Sequence, residues 1–214
     1  MKRPACVLFD LDHTLVRYDH ALRLDVLARR SACPPEQVEQ ALFHSGLERD
    51  SDLGRFDAQG HARELSRRLG AALTLEDCIA ARAAAMAPIP GMLALAQETS
   101  RHARVAILTN NGLMVRDHLH VLFPALSPLF DGRVLCSAEF GVGKPDPAIF
   151  LRSAERLGLP SSAILFIDDK AANADAARSV GMDALHFGGP HALRASLRER
   201  GLLENNPEAI AHAS

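Results

Sequence analysis

Two aspartates, Asp10 and Asp12, stand one residue apart in the stretch FDLDHTL, and far down the chain Asp168 and Asp169 stand side by side in FIDD. Both pairs follow short apolar runs. Adjacent carboxylates at the end of a buried strand repel each other, and such a cluster stays ionised only against positive charge. His13 is the single histidine in these loops and no cysteine lies at ligand spacing, so the donor set is oxygen. Oxygen ligation with open positions suits Mg²⁺. A divalent cation is therefore the expected partner of Asp168 and Asp169. A second positive charge, Lys144, lies in GVGKPDP, where Gly141, Gly143 and Pro145 indicate a shaped turn. Thr109 opens the triplet Thr109-Asn110-Asn111 after another apolar run. A lysine, a hydroxyl and exposed backbone N–H groups beside a metal make a phosphate site.

These residues meet only if the runs before them lie in one sheet. ACVLF (5–9), RVAILT (104–109), AILFI (163–167) and DALHF (183–187), with the weaker RVLCS (133–137), have strand length and no polar alternation. Continuous apolar runs point to strands covered on both faces, as in a parallel sheet. Helical segments alternate with them at 91–103, 112–123, 146–158 and 172–181. The third has Asp146 as N-cap, Pro147 behind it and Gly158 past its end. The expected fold is α/β, a Rossmann-like parallel sheet with helices on both faces. In such a sheet, ligands bind outside the carboxyl ends of the strands, where the aspartates, Thr109 and Asn110 fall. From 17 to 88 the pattern offers no strand. Amphipathic helices over 18–30, 34–46, 57–70 and 74–86 form an all-helical insertion, the last opening on Thr74-x-x-Asp77, and APIPG (87–91) reads as the return hinge. The expected division is a core of 1–16 and 89–214 around an insertion of 17–88. The polar tail after Leu203 is expected to be partly mobile.

Composition excludes several classes. Net charge is −2, so no basic field invites nucleic acid. The four cysteines are scattered with no CxxC pair, which reads as reduced thiols and a cytoplasmic protein. The N-terminus is not a signal peptide, and no apolar stretch reaches the ~18 residues of a membrane span, so no membrane partner is expected.

FDLDHTL, ILTNN, GKPDP and FIDD occur in the order and spacing of the four motifs of the haloacid dehalogenase-like hydrolase superfamily, which this chain resembles from Cys6 to about Phe187. The helical insertion is similar to the cap of subfamily I. SAEFGVGKPDPAIF with ILFIDDKAANADAARSVGM looks most like the branch of bacterial glucose-1-phosphate phosphatases and the N-terminal phosphatase of soluble epoxide hydrolase. The resemblance implies a Mg²⁺-dependent phosphatase acting on a small phosphorylated metabolite, a sugar phosphate by its branch, through an aspartyl-phosphate. It implies Asp10 as nucleophile and Asp12 as general acid and base. Asp10, the backbone carbonyl of Asp12 and Asp169 would hold Mg²⁺ with Asp168 beside them, and Asn173 and Thr14 would support that set. Thr109, the Asn110 backbone and Lys144 would bind the phosphoryl oxygens. His13 departs from the glycine of many members. Arg17, Tyr18 and Asn111 are candidates for substrate selection.

A receiver-type phosphoacceptor domain carries similar groups, but its acidic pair precedes its acceptor aspartate; here the order is reversed and a helical insertion intervenes. A P-loop is excluded because Pro145 follows Lys144. Within the superfamily, a haloacid dehalogenase lacks the second aspartate of the first motif, so Asp12 opposes it. A sugar-phosphate mutase keeps both aspartates and stays open.

Overall fold

A computed structural model of the chain describes residues 3–204, so the expectation for the polar tail falls largely outside the described residues. In chain order the elements are β1 (Cys6–Phe9), β2 (Val16–Tyr18), α1 (His20–Ser31), α2 (Pro35–Glu39), α3 (Leu47–Asp52), α4 (Ala58–Leu69), α5 (Leu75–Ala84) and β3 (Met86–Pro88). They continue with α6 (Met92–Ser100), β4 (Arg104–Thr109), α7 (Leu113–Leu122), α8 (Ser127–Phe130), β5 (Val134–Cys136), α9 (Ser137–Phe140), α10 (Pro147–Leu157), β6 (Ile164–Asp168), α11 (Ala171–Ser179), β7 (Asp183–His186) and α12 (Pro190–Glu199). A π-helical turn, Gln40–His44, continues α2.

Five strands form one parallel sheet in the order β5-β4-β1-β6-β7. The apolar runs have no alternation because both faces are covered. Val7, Phe9, Val105, Ile107, Leu165 and Ile167 enter one core, shared with residues of α6, α7, α12 and the insertion. Cys6, Leu8, Ala106, Leu108, Ile164 and Phe166 enter the other, against α10 and α11. Register then fixes the site. Phe9 sits opposite Ile107 on one side and Ile167 on the other, so β1, β4 and β6 end close together. The chain crosses from β1 to β4 on one side and later returns to β6 on the other, which opens a crevice at their carboxyl ends.

Between β2 and β3 all regular structure is helical. Asp57 caps α4 through Gly60 N–H at 2.6 Å. Thr74 and Asp77 close the capping box that opens α5. The expectation of no strand between 17 and 88 is corrected at both edges. Val16 to Tyr18 pairs antiparallel with Met86 to Pro88, a ribbon through which the chain enters and leaves the helices. Met-Ala-Pro carries little strand propensity, so tertiary pairing decides it, with Pro88 at its end. The short α3, with only Leu47 and Ser51 buried, and α12 are further elements the apolar pattern does not announce.

His13 adopts a left-handed backbone, φ 63°, in the turn from β1 to β2, and its N–H donates to Val16 O at 2.6 Å. That conformation explains why a glycine suits the position; histidine is among the residues that tolerate it.

Candidate active site

Asp10 is the first residue beyond β1 and is buried, its N–H donating to Ile167 O at 2.8 Å. Lys144 arrives from the loop before α10. Its Nζ lies 2.7 Å from Asp10 Oδ1, 2.7 Å from Asp168 Oδ2 and 3.0 Å from Leu108 O, which occupies all three ammonium protons. Asn110 clamps this loop at both ends of one residue: its Oδ1 accepts from Lys144 N–H at 2.8 Å and its Nδ2 donates to Lys144 O at 2.8 Å. Gly143 leaves room beneath the clamp: a Cβ there would lie 3.1 Å from the Asn110 amide, a tight contact that would push the amide back.

Asp168 is fully buried at the end of β6. Its Oδ1 accepts from Lys170 N–H and Asn173 Nδ2, each at 2.8 Å, so both of its oxygens are committed. Asp169 is half-buried and lines a pocket of about 80 Å³ together with Asp10, Asp12, Thr109, Asn110 and Lys144. Carboxylate oxygens of Asp10, Asp168 and Asp169 lie within 4.8 Å of one another. Burial pushes the Asp10 carboxyl up, to about 7; the Lys144 charge offsets this in part, and Asp168 and Asp12 push it further up. Burial alone would lower Lys144, but the charges of Asp10 and Asp168 outweigh it and hold the ammonium protonated. Three carboxylates facing one ammonium leave a negative excess that a single divalent cation would cancel. The residues present fit a hard, oxygen-ligated ion such as Mg²⁺.

Asp12 faces a different partner. Arg82, on α5 of the insertion, places Nη2 2.7 and 2.6 Å from its two carboxylate oxygens. Asn111 Nδ2 lies 3.1 Å from Asp12 Oδ2 and 2.7 Å from Thr109 Oγ1, which ties the first two motifs together. Burial would raise the Asp12 carboxyl, but the Arg82 charge and hydrogen bonds hold it below the usual range. The Arg82 guanidinium also lies over the Tyr18 ring, 4.1 Å from its centroid. Thr14 is buried with its hydroxyl unpartnered and takes no part in this network.

Arg82 also lines a second cavity with Asn111, Arg23, Glu48, Asp52 and His61, between the insertion and the start of α7. Sequence reading passed over all of these but Asn111. The signal for Arg82 was a lone arginine among alanines in AARAAAM; it sits on a buried helix face. Arg23 pairs with Glu48 through both guanidinium ends, Nη2 at 3.1 Å from Oε2. Burial would raise the Glu48 carboxyl; the Arg23 charge outweighs it and brings it down to about 2. A folded-state value below the ordinary 4.5 means this pair stabilises fully above about pH 4.5 and loses that contribution as pH falls towards 2. Glu48→Gln is expected to flatten the acid limb of a stability–pH profile over that window. At neutral pH it should lose about 3–5 kcal/mol, because buried Arg23 is left unpaired. Urea denaturation of both proteins across pH measures this, and identical acid limbs would remove the pair from the stability of the fold.

Among the described residues no helix is long and apolar enough to cross a membrane. The family model for haloacid dehalogenase-like hydrolase matches residues 4–181. A protein of Mycobacterium tuberculosis (strain CDC 1551 / Oshkosh) named Phosphatase MT3486 is 31% identical over 201 residues, covering 84% of this chain and 85% of that protein. A predicted HAD-like family hydrolase from Porphyromonas gingivalis superposes with a TM-score of 0.74 at 25% identity, covering 93% of this chain and 98% of that one. A HAD family enzyme from Bacteroides thetaiotaomicron, solved with magnesium and inorganic phosphate, has the same fold, with a TM-score of 0.71 at 19% identity over 85% of this chain and 93% of that one. The strand-end aspartates, the lysine that bridges two of them and the match along most of the sequence lead to one family: the chain is an enzyme of the haloacid dehalogenase-like hydrolases.

Proposed function

We propose that the protein is a Mg²⁺-dependent phosphatase that hydrolyses a small phosphorylated metabolite, with a sugar phosphate favoured, through an aspartyl-phosphate on Asp10. The observation that carries this reading is the pocket of about 80 Å³ in which Asp10, Asp12, Lys144 and Asp169 line one space of phosphoryl size. The phosphatase named among the relatives supports it. In this reading residues 1–16 and 89–214 are the catalytic core and 17–88 the cap.

The residues divide the reaction. An Asp10 oxygen attacks phosphorus and the ester P–O bond breaks. Asp12 delivers a proton to the departing alkoxide. Water then attacks the phosphorus of the aspartyl-phosphate, giving its proton to Asp12 as the Asp10–phosphorus bond breaks and inorganic phosphate leaves. Arg82 holds Asp12 as a carboxylate, the form the second step uses; for the first step the incoming ester loosens that contact and Asp12 takes up a proton from solvent, which the water of the second step replaces in later turnovers. Thr109, the Asn110 backbone and Lys144, which turns one ammonium proton from its present partners to the bound ester, hold the phosphoryl oxygens. Lys144 also fixes Asp10, with Asn173 fixing Asp168 from behind. Asp10, the Asp12 carbonyl and Asp169, with Asp168 beside them, would hold Mg²⁺, whose charge stabilises the transferring phosphoryl group.

The test is hydrolysis of p-nitrophenyl phosphate with Mg²⁺, which chelator should abolish and added Mg²⁺ restore. Asp169→Asn is expected to raise the Mg²⁺ concentration needed by about tenfold or more while the fold is retained. Release of chloride from chloroacetate without metal, at a rate matching the ester, would overturn the reading. An unchanged Mg²⁺ requirement in Asp169→Asn would move the ligand to Asp168.

A further inference from the structure

Three side chains that line the second cavity carry buried polar atoms with nothing to bind. His61 Nε2, Arg23 Nε and Arg82 Nε are buried and without a hydrogen-bond partner, and all three side chains line this space. Buried polar groups are normally satisfied, and each orphan is unfavourable by itself. Three orphans around one cavity mark a place where a ligand completes the bonding.

The chemistry of that ligand follows from the neighbours. Ser51 Oγ lies 2.9 Å from Leu47 O and 2.7 Å from His61 Nδ1. A hydroxyl has one proton, and Leu47 O can only accept, so the Ser51 proton goes there and His61 Nδ1 is the donor to Ser51. Burial holds the His61 imidazole to its neutral form, although Glu48 pulls the other way. Its Nε2 is then a bare acceptor in need of a donor. The two arginine Nε–H groups are donors in need of an acceptor. One group that both donates and accepts is a hydroxyl.

The charge balance disfavours an anion. Arg23 is already matched by Glu48 and Arg82 by Asp12. Glu48 Oε2 lies 3.8 Å from His61 Nε2, and Asp52, whose carboxyl burial and the Glu48 charge push up to about 8, lines the same space as a neutral group. A carboxylate on the ligand would face the Glu48 carboxylate and could not donate to Nε2. The cavity is also tight, about 20 Å³, room for one hydroxyl or water. Asp12, which would protonate the leaving oxygen, is joined to this cavity through Arg82 and Asn111, both of which line it.

We propose that this cavity is a subsite reading a hydroxyl on the leaving group, with His61 Nε2 accepting its proton, so that the substrate is the phosphate ester of a small uncharged polyol. The inference rests on the phosphatase reading above.

Three esters of equal length test it: glycerol 1-phosphate, propyl phosphate and 2-carboxyethyl phosphate, each with Mg²⁺, with p-nitrophenyl phosphate as the general probe. In the parent protein kcat/KM for glycerol 1-phosphate should exceed that for propyl phosphate by about 10–100-fold, because the deoxy analogue leaves the orphans unpaired. 2-Carboxyethyl phosphate should be the poorest of the three. In His61→Leu the glycerol-to-propyl ratio should fall to near one. A parent protein that prefers the carboxylate, or fails to separate glycerol from propyl phosphate, overturns the inference without any variant. An unchanged ratio in a folded His61→Leu overturns the role of His61. If p-nitrophenyl phosphate is hydrolysed while those ratios fail, the subsite alone is wrong; if no monoester is hydrolysed, the phosphatase reading falls and takes the subsite with it.

Discussion

Asp10→Asn is expected to abolish turnover, by about 10⁴-fold or more, and to leave no covalent phosphoryl-enzyme. The substitution is nearly isosteric, and it removes one of two buried carboxylates that share the Lys144 ammonium, so the metal-free fold should be no less stable than the parent. Asp12→Asn should fail differently. It keeps the nucleophile and removes the proton donor and base, a loss of about 10²–10⁴-fold on esters with poor leaving groups. With p-nitrophenyl phosphate the leaving group needs little protonation, so the first step survives better than the second. Phosphoryl-enzyme should then accumulate and show in the intact-protein mass after mixing with p-nitrophenyl phosphate and Mg²⁺. A phosphorylated Asp10→Asn protein, or an Asp12→Asn protein with the leaving-group dependence of the parent, would overturn the assignment of these two residues.

Lys144→Met is expected to lose about 3–5 kcal/mol of stability, because it strands Asp10 and Asp168 as neighbouring buried carboxylates. For a chain of this length that corresponds to about 6–20 °C in melting temperature. Phosphate binding should be lost as well. The two effects separate on addition of Mg²⁺. A cation bound to the folded aspartates recovers stability by mass action, whereas the missing ammonium is not restored and turnover stays low. Thermal melts with and without Mg²⁺ measure this. A Lys144→Met protein that melts with the parent in the absence of metal would show that the ammonium does not hold the carboxylates together.

The strand-end half of the candidate site was legible in the sequence because a parallel sheet allows little freedom. Once 5–9, 104–109 and 163–167 are strands of one sheet, residues at or just past their carboxyl ends must meet at one edge, and Asp10, Thr109 and Asp168 do. Lys144 was readable from its turn, though not its role as a bridge between two carboxylates. The other half was hidden for physical reasons. Arg82 touches Asp12 across 70 residues of chain, and nothing local in an alanine-rich helix says which face it buries. The Arg23–Glu48 pair and the His61–Ser51 contact join separate helices of the insertion. The ribbon escaped notice because three-residue strands are stabilised by their pairing rather than by their own propensities.

That ribbon gives the molecule a modular seam. Paired Cα atoms of an antiparallel ribbon lie about 4.5–5.5 Å apart, so the chain departs for the helices and returns within one strand spacing. A gap that narrow is spanned by an ordinary hairpin turn of about two residues. Every strand of the five-stranded sheet finds its neighbours without the insertion, and insertions are tolerated where their ends lie close together. Arg82, His61 and the Arg23–Glu48 pair all lie on one side of the seam, and Asp10, Lys144 and Asp168 on the other. Under the function proposed here, the parts that choose the phosphate's carrier meet the parts that transfer it along a single joint, so selectivity can be rewritten there while the chemistry stays in place, provided the Arg82 contact to Asp12 is kept.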